Sequence, residues 1–208
     1  MKESDPTRPD PDELLKSLKK ADAREKGGKL KIFLGMSAGA GKTYAMLEAA
    51  HALLKDGSEV MAGIVETHGR AETSRLLENI PVIPRRKAQY RGKEFSELDI
   101  DALLTRKPEY ALVDELAHTN IPGSRHEKRW QDIVELLDHG INVYTTLNVQ
   151  HVESRKESVE LATGITIRET VPDSVIERAE QIELVDVPPE TLLERLAEGK
   201  VYLGEKAA

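Results

Sequence analysis

Short apolar runs alternate with amphipathic segments along most of the chain. The apolar runs predict strands at residues 30–34, 59–65, 86–90, 110–113, 142–147 and 181–185. The amphipathic segments predict helices at residues 44–55, 72–78, 98–106, 130–137, 173–179 and 191–197. Because strands that alternate with helices form a parallel sheet covered on both faces, we expect an α/β fold with a doubly wound, mostly parallel sheet.

The two ends of the chain differ from this pattern. Residues 1–28 are polar and predict an arm with one short helix that begins near Asp10-Pro11, either docked on the main domain or used for an interaction. Pro188-Pro189 separates the main domain, residues 29–187, from a C-terminal helix and linker at residues 188–208. Within the main domain, Arg91-Gly92 lies between two short runs and favours a hairpin.

A glycine-rich turn joins the first strand of the main domain to its first helix. It consists of Gly39-Ala40-Gly41-Lys42-Thr43, and Tyr44 continues into the helix. Glycines let backbone amides face a phosphate, and a helix N-terminus adds a positive dipole end. In a P-loop, or Walker A motif, the lysine reaches the β- and γ-phosphates and the threonine hydroxyl binds Mg²⁺. The context predicts a nucleoside triphosphate site and a three-layer sandwich like that of P-loop NTPases.

The turn departs from the strict motif at one position. The P-loop pattern requires a glycine five residues before Gly41, but that residue is Met36, and the glycine stands one place earlier, at Gly35. Two interpretations are open at this point: a P-loop with a longer lead-in, or an ordinary glycine-rich turn with a chance Gly-Lys-Thr. They differ physically, because only a P-loop requires Lys42 to point into the turn.

A second motif follows the apolar run at residues 110–113. The run ends in Asp114-Glu115, and the carboxyl ends of parallel strands face the ligand in α/β folds. Asp114 would hold Mg²⁺ as a Walker B aspartate does, and Glu115 would act as a general base toward water. Candidate strands lie between the two motifs in the chain, so an intervening strand in the sheet is possible. That order is typical of ATPases in which a glutamate activates water, and thymidine-kinase-like P-loop proteins also carry Asp-Glu at this place.

Several polar residues near these motifs allow two interpretations each. His68 and Arg70 would either touch phosphate or substrate, or form a surface turn and a helix cap. Residues 118–126 would be a switch or lid, or a solvated connector. Asn148 and Gln150 would sense the γ-phosphate or, as we favour, cap the next helix. The histidines lack a consistent metal-ligand spacing, so we expect no zinc site.

Composition narrows the function classes. The net charge is −7 and no lysine-rich block occurs, so nucleic-acid binding has no support. Cysteine is absent, which excludes disulfides and thiolate chemistry and is compatible with a reducing cytoplasm. No apolar run approaches the ~20 residues that cross a bilayer, and the N-terminal segment is too polar for a signal peptide. We expect a cytoplasmic chain with no direct membrane insertion.

The motifs together resemble the N-terminal cytoplasmic region of the KdpD family, the bacterial osmosensitive potassium-channel sensor histidine kinases. The resemblance covers nearly the whole chain, is specific in combination, and extends to the displaced glycine at Gly35. The matching stretches are residues 8–12, 28–35, 39–47, 65–70, 83–86, 111–125, 143–151 and 168–173.

The resemblance implies a place within a longer protein. Family members continue with a universal-stress-protein-like domain, transmembrane helices and a histidine kinase transmitter, and with a response regulator they control genes for a high-affinity potassium pump. We therefore expect a fragment or a shortened member, with those domains and that regulator as partners, at the cytoplasmic face of the inner membrane when part of the full-length sensor. The chain has no counterpart of the transmitter, so none of its histidines is expected to accept phosphate.

The resemblance also implies an ATP site that regulates the balance of kinase and phosphatase activities. Motif and resemblance together assign Thr43 and Asp114 to Mg²⁺ through the nucleotide, and Glu115 to catalysis if turnover occurs. The assigned nucleotide-binding residues are Gly35, Gly39, Ala40, Gly41, Lys42, Thr43, Tyr44 and Asp114.

Three functions compete on this basis. The first is a regulatory ATP-binding module of a sensor kinase. The second is a stand-alone P-loop ATPase or small-molecule kinase that uses Glu115 as its base. The third is an interaction module with a degenerate loop that binds no nucleotide.

Overall fold

Five parallel strands form the central sheet in this computed structural model, which describes residues 27–90 and 92–198. They are β1 (Leu30–Gly35), β2 (Val60–Ile64), β5 (Tyr110–Val113), β6 (Asn142–Asn148) and β7 (Ala179–Leu184). Their order across the sheet is β2-β5-β6-β1-β7. β3 (Arg86–Tyr90) and β4 (Lys93–Glu97) pair antiparallel as a separate hairpin. The predicted fold class and the hairpin are both confirmed.

Helices lie on both faces of the sheet. They are α1 (Lys42–Lys55), α2 (Ala71–Leu77), α3 (Ile100–Arg106), α4 (Arg129–Asp138), α5 (Lys156–Thr163), α6 (Asp173–Ile176) and α7 (Pro189–Ala197). Two 3-10 turns, Val149–His151 and Glu153–Arg155, join β6 to α5.

Alternating side chains along the strands divide the core between the two faces. On one face, Phe33 packs with Met46 of α1. On the other, Ile32 packs with Leu103 of α3 and Ile133 of α4. All five side chains are fully buried, and each such burial contributes about 1.5–3 kcal/mol. The helix–sheet–helix sandwich follows from this two-sided burial.

The strand order positions the two motifs. β6 lies between β1, which leads to the glycine-rich loop, and β5, which leads to Asp114. An intervening strand, which the sequence left possible, is present, but it comes from a segment later in the chain than either motif and not from the candidate strands between them. All five carboxyl ends lie at one edge because every pairing in the sheet is parallel.

Most boundaries agree with the sequence-based expectation, with local differences. The helix predicted to begin at residue 98 begins at Ile100, because the Asp99 side chain accepts a hydrogen bond from the amide of Ala102 at 2.9 Å and caps the helix. The helix predicted at 173–179 ends at Ile176, and β7 begins at Ala179. α5 was not predicted. The short helix predicted in the N-terminal arm lies outside the described residues.

Candidate functional site

The glycine-rich loop leaves β1 at Gly35 and enters α1 at Lys42. Gly39 and Gly41 have φ angles of 86° and 106°, in the left-handed region that other residues rarely adopt. Gly41 is the N-cap of α1, no side chain caps this 14-residue helix, and its first turn contains no acidic residue. The positive end of the helix is therefore open to an anion from outside the chain.

Lys42 points into this loop. Its ammonium Nζ donates to the carbonyl oxygen of Ser37 at 2.7 Å, and the residue is only 9% exposed. No carboxylate of residues 27–90 or 92–198 lies within ion-pair distance of it. Burial lowers the pKa of Lys42 to about 8. A buried cation at the positive end of a helix is unfavourable by itself, so an anionic ligand would relieve it.

The position of Gly35 explains the departure from the strict P-loop pattern. A Cβ on Gly35 would lie 2.7 Å from the carbonyl oxygen of Val185 and 3.0 Å from Cδ of Lys42. Met36, which stands where the strict motif has glycine, is 56% exposed and needs no such space. Glycine is thus required at position 35, because the chain after β7 and the aliphatic part of the Lys42 side chain both pack against it.

A cavity of about 320 Å³ opens over the loop and brings the two motifs together. Ala40 is buried and Tyr44 is exposed, and neither of them lines the cavity; nor do Gly35 and Gln150. The cavity is also lined by His151, which the sequence did not single out. Of the residues singled out from the sequence, those that line it are Gly39, Gly41, Lys42, Thr43, His68, Arg70, Asp114, Glu115, His118 and Asn148.

Asp114 is buried at the end of β5 and is surrounded by donors. Its Oδ2 lies 3.1 Å from the hydroxyl of Thr43 and accepts the amide of Glu66 at 3.1 Å, while the hydroxyl of Thr146 donates to Oδ1. Burial raises the pKa of Asp114, and the hydrogen bonds from the two hydroxyls oppose that rise. The adjacent hydroxyl and carboxylate oxygens are the hard donors that Mg²⁺ prefers.

Glu115 occupies the cavity wall with an unusual backbone conformation, φ 58°. Its Oε1 lies 3.5 Å from Nε2 of His68, and its Oε2 lies 3.8 Å from a guanidinium nitrogen of Arg129. The hydrogen bond from His68 lowers the pKa of Glu115 below its ordinary value, although burial opposes it. Glu115 is therefore an ionised carboxylate, and the same pairing makes it a weaker base.

Sequence reasoning missed a buried ion pair beneath this site. Arg129 is 1% exposed and donates to the carbonyl oxygen of Asp114 at 3.0 Å and to Glu97 at 3.2 Å. Glu97 also lies 3.2 Å from Nε2 of His118. The two charges come from segments 32 residues apart, and no local pattern marks either of them as buried. The pair supports the backbone that carries Asp114 and Glu115.

The polar segment 118–126 is anchored by hydrogen bonds to α4 and β4. Asn120 is 6% exposed and donates to Asp132 of α4 at 2.7 Å, and Asp132 also lies 2.8 Å from Nδ1 of His126. The amide of Ile121 donates to Glu97 of β4 at 3.2 Å. These contacts fix part of the segment, while Pro122, Gly123 and Arg125 are exposed, so both interpretations of the segment stay open.

Three further polar residues, His68, Arg70 and Asn148, line the cavity. His68 contacts Glu115, and Arg70 lines the cavity although its backbone also forms the N-cap of α2, without a side-chain cap bond. Asn148 precedes a 3-10 turn but makes no side-chain cap bond, and its Oδ1 is buried without a hydrogen-bond partner among the described residues. The capping expected of Asn148 was therefore wrong.

Comparison with known proteins places the chain in a family. Residues 26–208 match the family model described as "KdpD: Osmosensitive K+ channel His kinase sensor domain". The chain belongs to the KdpD family. The family is one of sensor histidine kinases, in keeping with a potassium-sensing two-component system, and the resemblance seen in the sequence is confirmed.

Curated KdpD relatives are similar over most of this chain. Sensor protein KdpD of Escherichia coli (strain K12) is 52% identical over 204 residues, which cover 98% of this chain and 22% of the relative. Sensor protein KdpD of Mycobacterium tuberculosis (strain CDC 1551 / Oshkosh) is 54% identical over 181 residues, which cover 87% of this chain and 21% of the relative. The chain thus spans about a fifth of the length of these KdpD proteins.

A solved structure, that of Bacteroides Pif1 bound to ssDNA, is similar over 89% of this chain and 46% of that chain, with a TM-score of 0.34 and 17% identity. Values this low carry no argument about function. Among the helices of the described ranges, none combines the length and the apolar character that a bilayer crossing demands.

Proposed function

We propose that this domain is a regulatory ATP-binding module of a KdpD-type sensor histidine kinase and binds Mg²⁺–ATP on the loop between β1 and α1. Lys42 and the first amides of α1 would hold the phosphates, and Thr43 with Asp114 would hold the metal ion. Within the whole protein, we propose that it acts from the cytoplasmic side on the transmembrane and transmitter domains, and through a response regulator on potassium-transport genes.

One observation carries this proposal: the buried ammonium of Lys42 at an uncapped helix N-terminus. The donor set around it fits a magnesium-bound triphosphate, because phosphate oxygens accept from ammonium and amides while Mg²⁺ takes hydroxyl and carboxylate oxygens. Gly39 and Gly41, with positive φ and no Cβ, leave the loop's inner face clear for phosphate. A regulatory role needs only that ATP binds two states of the sensor with different affinities.

Isothermal titration with Mg²⁺–ATP tests the proposal on Lys42→Ala. Loss of a charge-assisted hydrogen bond costs about 1.5–3 kcal/mol, so we expect the Kd to rise by about ten- to a hundredfold. Lys55→Ala is the matched control, because Lys55 is an exposed lysine at the other end of the same helix. Equal ATP affinity in Lys42→Ala and wild type would rule out this site.

A second candidate function, ATP hydrolysis with Glu115 as base, is favoured by the ionised carboxylate in the cavity wall. Because His68 lowers the pKa of Glu115, we expect turnover to be slow. Glu115→Gln should abolish phosphate release while ATP affinity survives, and Glu48→Gln, an exposed glutamate on α1, should change neither. Undiminished phosphate release by Glu115→Gln would exclude Glu115 as the base.

A further inference from the structure

The C-terminal helix α7 begins beside the glycine-rich loop. β7 pairs in parallel with β1, so the carboxyl ends of the two strands lie at the same edge of the sheet. The amide of Val185 then donates to the carbonyl oxygen of Leu34 at 2.7 Å, directly before the loop. Only three residues separate Val185 from Pro189, the first residue of α7. The start of α7 therefore lies within about 14 Å of Val185.

Arg195 of α7 contacts the loop itself. Its Nη1 donates to the carbonyl oxygen of Gly39 at 2.8 Å. The same nitrogen lies 3.9 Å from the place where a Cβ on Gly41 would be. The guanidinium therefore lies against Gly39 and Gly41, the two glycines that shape the loop and line the cavity.

Whereas Arg195 contacts the loop beside the cavity, a second guanidinium, that of Arg70, lies among the residues that line the cavity. Its side chain lines the cavity and makes no hydrogen bond or ion pair with any residue of the described chain. Burial and the nearby charge of Arg195 both lower the pKa of Arg70, and the charge of Arg70 in turn disfavours the ammonium of Lys42. Three cations thus lie near the positive end of α1, where like charges repel one another, and the carboxylates of Asp114 and Asp186 oppose that repulsion at Lys42.

Arginine suits a phosphate group in this position. Its planar fork donates two parallel hydrogen bonds to phosphate oxygens and keeps its charge at any physiological pH. Leu193 on α7 is 65% exposed, so this large apolar side chain adds little packing that would hold the helix in place. A phosphate that pairs with Arg195 would therefore hold the helix as well as the nucleotide.

We infer that Arg195, together with Arg70, is a contact for the terminal phosphate of a nucleoside triphosphate, and that this contact holds α7 against the loop. The inference rests on the proposed ATP site and adds to it a means of distinguishing triphosphate from diphosphate. The diphosphate lacks the group that the two arginines would share, so α7 is held less firmly when ADP is bound.

The test compares ATP and ADP, each with Mg²⁺, by isothermal titration of wild type and Arg195→Gln. We expect the Kd for ATP to rise about tenfold and the Kd for ADP less than about threefold. The matched control is Arg178→Gln, which removes the same charge. Arg178 precedes β7 at the opposite edge of the sheet, where its guanidinium lies 2.6 Å from Asp138, and its variant should stay within about twofold for both nucleotides.

Hydrogen exchange of the amides of residues 189–197 gives a second readout. ATP should slow this exchange more than ADP does in wild type, and the difference should vanish in Arg195→Gln. Unchanged ATP affinity in Arg195→Gln, or an equal loss for ATP and ADP, would overturn the inference while leaving the ATP site in place. If wild type binds neither nucleotide, the proposed function itself fails and the inference with it.

Discussion

At the scale of single residues, Lys42 combines features that oppose one another without a ligand. It is buried and it lies at the positive end of a helix. Within the described part of the chain, its ammonium forms a hydrogen bond only with the Ser37 carbonyl oxygen. Burial already shifts its pKa toward the neutral form. Such an arrangement destabilises the isolated domain, and phosphate binding is the ordinary use to which proteins put it.

Glu97 gives a prediction about pH at the same scale. Burial would raise the pKa of Glu97, but His118 and Arg129 outweigh it and hold the pKa below the ordinary value of 4.5. A carboxylate with a depressed pKa stabilises the fold above its unfolded pKa, and the contribution disappears as the pH falls through the lower folded value. We expect Glu97→Gln to lower the free energy of unfolding by about 3 kcal/mol at pH 7.

Urea denaturation between pH 7 and pH 3 measures this effect. The deficit of Glu97→Gln relative to wild type should shrink once the pH falls below 4.5. Glu94→Gln is the control, because Glu94 forms an exposed pair with Lys87 and should cost less than about 1 kcal/mol. A deficit that stayed constant across the whole pH range would contradict the assigned role of Glu97.

At the scale of elements, the strand–loop–helix unit around Lys42 follows from local sequence, because its strand, glycines and helix are adjacent in the chain. Strand order does not follow from local sequence, because β6 lies between β1 and β5 through pairings that no local pattern encodes. The Arg129–Glu97 pair and the contact of Arg195 with Gly39 are likewise long-range, and charged residues in a sequence usually indicate a solvated surface.

Gly35→Ala tests whether the close packing of the chain after β7 against Gly35 stabilises the loop. The added Cβ would lie 2.7 Å from the Val185 carbonyl oxygen, so the chain after β7 must shift. We expect the free energy of unfolding to fall by about 1–3 kcal/mol and ATP affinity to fall with it. Urea denaturation and isothermal titration measure the two effects.

Gly57→Ala provides the comparison for this variant. Gly57 lies in the turn after α1 with φ 89°, and among the described residues nothing beyond its chain neighbours lies within 4 Å of an added Cβ. The substitution should cost about 1–2 kcal/mol of backbone strain and leave ATP affinity unchanged. Equal ATP affinity in Gly35→Ala and Gly57→Ala would show that the Val185 contact does not shape the site.

At the scale of the whole molecule, the hydrogen bond from Arg195 to Gly39 connects the C-terminal helix to the site. The loop, Asp114 and α7 all lie at the carboxyl edge of a sheet whose strands run in one direction. The chain spans about a fifth of the length of the KdpD relatives described above, and we propose that a change at this edge reaches the rest of such a protein through segments attached to it. Helix α7 is the described segment best placed for that role.

The most direct measurement is a crystal structure of this domain grown with saturating Mg²⁺ and a non-hydrolysable ATP analogue. We predict that the phosphates lie on the loop between Gly39 and Thr43, with the ammonium of Lys42 against them and the metal ion beside Thr43 and Asp114. A loop without phosphate under these conditions, or a nucleotide bound elsewhere on the domain, would contradict the account.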